Sequence, residues 1–281
     1  MMNKKIGVIG LGTMGTGIVQ VFLSSGYQVL AYDLDEKNMK NCATTLENRF
    51  QKDVLKERIS LQDKETFLNN LKFTSSLNDF HNLDFVIESV IENIDVKKNI
   101  FAKLDEICKE GTIFGSNTSS LSIKALQEGV KHTVVGIHFF NPPYIMKLIE
   151  LVKIKTTPEN DFKKVYDLTI SLNKSPVVVN DSPGFVVNRI LIPMINEAIH
   201  ILDEEIATAE DIDKCMNLGA NHPIGPLKLA DLIGNDIVLN ILNSLYKDLN
   251  DEKYKPSKLL ERMVKENKLG VKTKKGFYDY N

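Results

Sequence analysis

The glycine-rich segment GLGTMG, residues 10–15, constrains the fold more than any other feature of the chain. It follows the apolar run KIGVI and precedes the helix-like run TGIVQVFLSSG, and the next apolar run, YQVLAYD, ends at Asp33. Strand, glycine turn, helix, strand and acidic residue, in this order, form the fingerprint of a dinucleotide-binding βαβ unit. The sequence therefore predicts that the chain begins with a Rossmann-type unit.

Each glycine of this segment has a physical task in such a unit. Gly10 permits a tight turn, Gly12 lets the backbone approach a pyrophosphate, and Gly15 brings the helix against the strand. The helix N-terminus offers N–H groups to the phosphates. We expect Asp33 to accept hydrogen bonds from the adenosine ribose, and because no arginine follows it closely we expect NAD (NADH in the reductive direction) rather than NADP; FAD also fits the fingerprint. The candidate cofactor-binding residues here are Gly10, Leu11, Gly12, Thr13, Met14, Gly15 and Asp33.

Short apolar runs alternate with helical stretches up to about residue 182, which predicts βαβ units and a mostly parallel sheet. Within this part, a polar amphipathic region from Glu36 to about Leu71 shows no helix breaker. After residue 182 the sequence pattern changes, and apolar residues recur at helical spacing, as in FVVNRILIPMINEAIHILDE. We predict an α/β domain at residues 1–182, followed by a smaller all-α domain at residues 183–281.

Composition excludes several classes of function. The chain has 281 residues, is 43% hydrophobic and 26% charged, and carries a net charge of −2, so a basic face for nucleic acid is not expected. No apolar run has the length of a membrane span, and no signal peptide is expected before the first strand. The three scattered cysteines, Cys42, Cys108 and Cys215, suggest a reducing cytoplasm and no metal site.

The stretch VVGIHFFNPPYIMKLIELV, residues 134–152, places His138 and Glu150 in two runs that otherwise resemble buried strands. Titratable groups in such positions are costly unless they are paired. The pattern alone most often indicates a histidine whose bonds are satisfied within the core, and a glutamate that faces solvent. The local sequence therefore leaves the role of both residues open.

The motifs GLGTMG, SNTSSLSI, HFFNPP, PGFVVNR and KKGFYDYN occur in order, and with them the chain resembles the L-3-hydroxyacyl-CoA dehydrogenases over its whole length, most closely their bacterial 3-hydroxybutyryl-CoA branch. The resemblance implies a stand-alone NAD-dependent enzyme that interconverts (S)-3-hydroxybutyryl-CoA and acetoacetyl-CoA in fatty-acid or butanoate metabolism. It also implies a homodimer formed by the helical domain, with the active site in a cleft between the domains.

The resemblance assigns roles at matching positions. His138 is the acid/base, Glu150 is its partner, and Ser119 and Asn188 hold the reacting oxygen. Ser119 also lies close to the nicotinamide, on the cofactor side. Glu92 and Asn141 lie by the nicotinamide end, Lys97 contacts cofactor and CoA, and Lys272 reaches the cofactor from the C-terminal tail. Without the resemblance, Glu92 and Lys97 would be expected to be solvated charges at a helix start. The segment ENRFQKDVLKER corresponds to the part that receives CoA, with candidates Arg49, Lys52 and Lys56. Tyr144 departs from the family, whose members often have a smaller residue there, and we expect its ring to narrow the acyl channel and favour a four-carbon substrate.

Two other classes of protein share this two-domain fold. A β-hydroxyacid dehydrogenase of the 6-phosphogluconate type shares the two-domain plan but uses a lysine on the first long helix of the second domain. That helix offers Asn188 and Arg189 and has no lysine before Lys214, which disfavours this class. A non-catalytic scaffold of the same fold, as recruited in animal lens, is disfavoured because every catalytic position matches. Direction and acyl-chain preference are not fixed by the sequence.

Overall fold

The computed structural model of the protein describes residues 4–280. The chain divides into two compact units, residues 1–181 and residues 182–281. Among the described residues, no helix is both long and apolar enough to cross a membrane.

Within the described part of unit 1, a single sheet contains eight strands in the order β3-β2-β1-β4-β5-β6-β7-β8. All neighbouring strands run parallel except β6 and β7. The predicted α/β class with a mostly parallel sheet is thereby confirmed. The strands are Lys5–Ile9 (β1), Gln28–Tyr32 (β2), Leu71–Thr74 (β3), Phe85–Glu88 (β4), Ile113–Ser116 (β5), Val134–Phe139 (β6), Leu148–Lys153 (β7) and Ser175–Asn180 (β8).

Helices cover both faces of this sheet. They are Thr13–Ser24 (α1), Glu36–Leu55 (α2), Leu61–Asn69 (α3), Ile94–Ile107 (α4), Ile123–Gln127 (α5) and Glu159–Ser171 (α6). One apolar cluster joins α1, α2 and α6 to the sheet and includes Ile113. The next residue, Phe114, stacks on Phe101 of α4 with ring centroids 5.7 Å apart. Because successive strand residues point to opposite faces, α4 covers the other side.

The region from Glu36 to Leu71 forms two helices, although its sequence shows no obvious breaker. Helix α2 ends near Lys56, where Glu57 takes a positive φ of 55°. Helix α3 starts after Ser60, which forms a capping box with Asp63. A non-glycine residue in the left-handed region followed by a strong N-cap is enough to divide the region in two.

The antiparallel pair β6–β7 brings His138 and Glu150 together. The connecting segment, residues 140–147, is shorter than the dozen or more residues that a parallel crossover needs, so the chain turns back on itself. In the resulting register, His138 lies directly opposite Glu150. Directly opposed residues on adjacent strands project to the same face, which fixes the two side chains as neighbours.

The described part of unit 2 is helical, as predicted. It contains Val187–Asp203 (α7), Ala209–Gly219 (α8), Pro226–Ile233 (α9), Asn235–Leu249 (α10) and Lys258–Lys265 (α11). Its core includes Ile195 and Ile199 of α7, Leu227 of α9 and Leu242 of α10. Helices α9 and α10 are separated at Gly234, whose φ of 105° is a conformation that favours glycine.

Candidate active site

The carboxyl ends of β1, β4, β5 and β6 meet at one edge of the sheet, because these strands are parallel neighbours. At this edge Gly10 turns the chain out of β1 with a φ of 87°. A Cβ at Gly10 would lie 2.6 Å from the carbonyl oxygen of Ser89, and a Cβ at Gly15 would collide with the carbonyl oxygen of Gly10. The loop and the start of α1 thus pack too closely for side chains at either position.

The glycine loop and α1 form a cradle that fits a dinucleotide pyrophosphate. Gly12 precedes the helix and no side chain caps the helix N-terminus, so the first N–H groups point outward without a side-chain acceptor. A Cβ at Gly12 would meet nothing within 4 Å, and Gly12 and Thr13 are exposed while Leu11 is buried and Met14 is half-buried. An anion therefore has both the space and the donors that it needs.

Asp33 follows β2 and is bonded to the glycine loop. One carboxylate oxygen accepts a hydrogen bond from the backbone N–H of Leu11 at 2.7 Å, and the other accepts from the N–H of Asp35 at 2.9 Å. The amide of Asn38 donates to the second oxygen at 3.2 Å. These bonds hold the carboxylate of Asp33 beside the glycine loop, and its contact with a ribose stays a prediction.

The imidazole of His138 and the carboxylate of Glu150 form a buried pair. Nδ1 of His138 lies 2.8 Å from Oε2 of Glu150, and the two residues are 7% and 1% exposed. A carboxylate only accepts hydrogen bonds, so Nδ1 carries the proton and the tautomer and ring orientation are fixed. The ring of Phe140 lies against His138 with centroids 4.4 Å apart.

A second histidine–carboxylate pair in unit 1 provides a comparison. Nδ1 of His132 lies 2.7 Å from Asp105, and its Nε2 lies 3.0 Å from the carbonyl oxygen of Lys109. Burial raises the pKa of Asp105, but hydrogen bonds from His132 and Lys131 outweigh it, and the net pKa is below the ordinary value of 3.8. Both ring nitrogens of His132 have partners within the chain, as in a structural histidine.

The loop that carries Ser119 is organised by Glu92. One oxygen of Glu92 accepts hydrogen bonds from the hydroxyl of Thr118 at 2.6 Å and the N–H of Ser119 at 2.9 Å. Burial raises the pKa of Glu92, but the charge of Lys97 and these hydrogen bonds outweigh it, so the net pKa lies below its ordinary range. Asn117 in the same loop accepts a hydrogen bond from the N–H of Phe139 at 2.9 Å, which ties the Ser119 loop to the residue after His138.

Lys97 differs from the solvated lysine that its sequence position suggested. It is 0% exposed, and its ammonium lies 2.6 Å from Glu88 and 3.4 Å from Glu92. Its predicted contact with cofactor and CoA stays a prediction. Glu88 was missed by the sequence analysis, although a charged residue at the end of the apolar strand FVIE is a signal that could have identified it.

Asn141 lies just after β6 and is exposed at the start of the loop that precedes β7. The ammonium of Lys174 braces this loop by donating to the carbonyl oxygens of Pro143 at 2.6 Å and Met146 at 2.8 Å. Burial and the charge of Lys147 lower the pKa of Lys174. The loop after His138 is therefore held at two points.

A basic groove of about 730 Å³ lies in unit 1. Arg49 lies along it, held by Gln20 at 3.0 Å and stacked 4.5 Å from the ring centroid of Tyr144. Tyr144 thus lines the groove, and its expected effect on the acyl channel stays a prediction. The cationic residues lining the groove are Arg49, Lys52, Lys56, Arg58, Lys147 and Lys174. Arg58 is paired with Asp53, whereas within residues 4–280 no ion pair involves Lys52, Lys56 or Lys147.

The two site residues predicted in unit 2, Asn188 and Lys272, lie on different elements of that unit. Asn188 is in the first turn of α7, one residue after its start. The ammonium of Lys272 lies 2.6 Å from a carboxylate oxygen of Asp236, so it is engaged in an ion pair within its own unit. The described residues include no group of three or more histidine, cysteine, aspartate or glutamate side chains suited to a metal ion.

The family model described as "3-hydroxyacyl-CoA dehydrogenase, NAD binding domain" matches residues 5–182, and that described as "3-hydroxyacyl-CoA dehydrogenase, C-terminal domain" matches residues 184–280. The chain is 47% identical to a 3-hydroxybutyryl-CoA dehydrogenase of Clostridioides difficile, over 99% of both chains. It is 37% identical to the mitochondrial hydroxyacyl-coenzyme A dehydrogenase of Homo sapiens, over 99% of this chain and 91% of the relative.

Among solved structures, an (S)-3-hydroxybutyryl-CoA dehydrogenase from Ralstonia eutropha superimposes with a TM-score of 0.96 at 40% identity, covering 100% of both chains. The two family models and the full-length relatives therefore agree with the observed fold and with NAD as the cofactor. The chain belongs to the 3-hydroxyacyl-CoA dehydrogenase family.

Proposed function

We propose that the protein is an NAD-dependent 3-hydroxyacyl-CoA dehydrogenase that interconverts (S)-3-hydroxybutyryl-CoA and acetoacetyl-CoA. The observation that carries the proposal is the buried His138–Glu150 pair, with 2.8 Å between Nδ1 and Oε2, near the carboxyl end of β6. The glycine loop lies at the carboxyl end of β1 in the same parallel part of the sheet. Open α/β sheets bind their ligands at this edge.

The reaction needs a proton to leave or reach the substrate oxygen while a hydride leaves or reaches carbon. NAD, when bound, supplies the hydride acceptor, or the donor in the reduced form. His138 exchanges the proton, and we assign this to Nε2 because Nδ1 is bonded to Glu150. Glu150 keeps the ring in one orientation and one tautomer, and its negative charge accompanies the positive charge that the ring acquires.

Ser119 and Asn188 position the reacting oxygen in this proposal. Both side chains can donate a hydrogen bond to the substrate oxygen, which aligns the oxygen with the proton carrier. The support for Ser119 is that its loop is fixed by two hydrogen bonds. The N–H of Ser119 donates to Glu92 at 2.9 Å, and the side chain of Asn117 accepts from the N–H of Phe139 at 2.9 Å. The proposed cofactor-side residues remain Gly10, Leu11, Gly12, Thr13, Met14, Gly15, Asp33, Glu92, Lys97, Ser119, Asn141 and Lys272.

The CoA part of the substrate carries phosphates, and the basic groove is its proposed position. Lys52 and Lys56 are exposed on the groove and have no ion-pair partner among residues 4–280. Arg49, held by Gln20 and Tyr144, forms the wall of the groove. Exposed ammonium groups suit a flexible phosphate, whereas the fixed guanidinium suits a single defined position.

We also propose a cytoplasmic homodimer formed through unit 2. The support for dimerisation is that unit 2 exposes large apolar side chains, including Ile190 at 67%, Leu218 at 78% and Leu232 at 57%. A surface on which large apolar side chains lie together is typical of association. Sedimentation velocity of the purified chain tests the proposal, since a monomer at micromolar concentration would contradict it. The reducing compartment is supported by Cys42, Cys108 and Cys215, which are all free thiols.

The proposed function is tested by comparing His138→Gln with His132→Gln. We expect the first variant to lose acetoacetyl-CoA-dependent oxidation of NADH while still binding NADH, because the glycine-loop cradle does not contain His138. We expect the second to retain turnover, because His132 is bonded to Asp105 and Lys109 within the chain. Rates follow NADH absorbance, and binding follows NADH fluorescence. An active His138→Gln variant, or a wild-type protein without turnover, would contradict the proposal.

A further inference from the structure

Glu88 is a buried charge at the centre of the site edge, and the proposed reaction does not use it. It ends β4, and its Cα register partners are Ile9 of β1 and Ser116 of β5. Its side chain is 0% exposed. One oxygen accepts hydrogen bonds from the N–H of Val90 at 2.7 Å and the ammonium of Lys97 at 2.6 Å, and the other accepts from the hydroxyl of Ser116 at 2.7 Å.

Burying the carboxylate of Glu88 costs free energy. Removing two charged groups from water costs several kcal/mol per ion, and a buried pair is often no more stable than apolar residues of the same volume. Stability alone is therefore a weak reason for Glu88 and Lys97 at this place. The cluster also carries two carboxylates, Glu88 and Glu92, for one ammonium.

The contacts form a chain from Glu88 to Ser119. Lys97 is bonded to Glu88 and lies 3.4 Å from one oxygen of Glu92. The other oxygen of Glu92 accepts from the N–H and, at 3.3 Å, the hydroxyl of Ser119. Glu92 is thus shared between Lys97 on one side and the Ser119 loop on the other. Any change in the position or charge of Lys97 changes how tightly Glu92 holds that loop.

We propose that Glu88 is a positioning residue, whose carboxylate anchors the ammonium of Lys97 and thereby sets the position of Glu92 and of the Ser119 loop. This inference rests on the proposed function, in which Ser119 holds the reacting oxygen. In this arrangement Lys97 acts through Glu92. Without the charge of Glu88, Lys97 shifts toward Glu92, its remaining counter-ion, and Glu92 loosens its bonds to Ser119.

The test uses Glu88→Gln, which keeps the side-chain volume and removes the charge. Misplacing a positioning group can cost up to about 100-fold in rate, so we expect a fall of this order in kcat with the KM values for NADH and acetoacetyl-CoA unchanged. The matched control is Glu128→Gln, which removes the carboxylate of the exposed pair Lys98–Glu128 at 3.0 Å. The control should retain the wild-type kcat. A wild-type kcat in Glu88→Gln, even with a lower melting temperature, would overturn the proposal.

A double variant separates positioning through Lys97 from an independent effect. If Glu88 acts through Lys97, then Glu88→Gln combined with Lys97→Met is no slower than Lys97→Met alone, because coupled residues are not additive. If the fall in kcat of the double variant equals the product of the two single falls, Glu88 acts independently of Lys97, which contradicts the proposal.

A crystal structure of Glu88→Gln tests the positioning role of Glu88 independently of any activity measurement. If the wild-type protein has no activity toward acetoacetyl-CoA, only the proposed function is refuted, and the structural test still applies. We expect the loop of residues 117–120 to move off Glu92 in the variant. An unchanged set of Glu92 hydrogen bonds to Thr118 and Ser119 would overturn the positioning role of Glu88.

Discussion

Replacing Glu150 by glutamine tests the histidine–glutamate pair with little change of side-chain volume. The carboxylate is 1% exposed and its bond to His138 Nδ1 is 2.8 Å long, so the variant replaces a buried, charge-assisted hydrogen bond by a neutral bond to the amide oxygen. Hydrogen bonds to charged groups contribute about 1.5–3 kcal/mol and neutral ones about 0.5–1.5 kcal/mol, a difference of about 1–1.5 kcal/mol. Since about 1.4 kcal/mol corresponds to a factor of ten, we expect kcat to fall roughly 5- to 12-fold.

The assay is the initial rate of NADH oxidation at saturating acetoacetyl-CoA. The loss should appear in kcat with KM unchanged, because the charge acts when the ring becomes protonated or deprotonated. The control is Asp105→Asn in the other histidine–carboxylate pair, which should leave kcat at the wild-type level. A wild-type kcat in Glu150→Gln, or an equal fall in Asp105→Asn, would refute this reasoning.

Three further predictions follow from particular side chains. Lys52→Ala and Lys56→Ala should raise the KM for acetoacetyl-CoA with little change in kcat, and should not affect acetoacetyl-pantetheine, which lacks the CoA phosphates. The pKa of Asp105 is lowered below 3.8 in the folded chain, so its contribution to stability is present above that value and is lost as the pH falls below it. Urea unfolding should show a constant difference in the free energy of unfolding between wild type and Asp105→Asn from pH 7 to about pH 5, and a difference that shrinks as the pH falls further. Burial and the charge of Asp105 raise the pKa of Cys108 to about 11, and Cys215 is exposed, so a thiol reagent should label Cys215 first and Cys108 only after unfolding.

Much of the fold could be predicted because its signals are local. The glycine loop, the helix after it and Asp33 lie within one short segment, and each residue type is required by backbone geometry or by an anion. The hairpin containing His138 and Glu150 was less visible. Its short connection demands an antiparallel pair, but the roles of the two residues were assigned from the resemblance to a family.

The rest depends on contacts between distant segments. Lys97 resembles a solvated charge in the sequence, and only the packing of α4 on β4 and β5 buries it against Glu88. The division of the region between Glu36 and Leu71 depends on a left-handed Glu57, which no residue preference would indicate. The position of Tyr144 against Arg49 likewise follows from the fold of the loop after β6.

The most direct measurement of the central claim is a crystal structure of the protein with NAD and acetoacetyl-CoA, an oxidised cofactor with a ketone that cannot react. We expect the 3-keto oxygen within hydrogen-bonding distance, about 2.6–3.2 Å, of Nε2 of His138, with Nδ1 still bonded to Glu150. A 3-keto oxygen that faces other residues, or an imidazole that has turned away from both partners, would contradict the account.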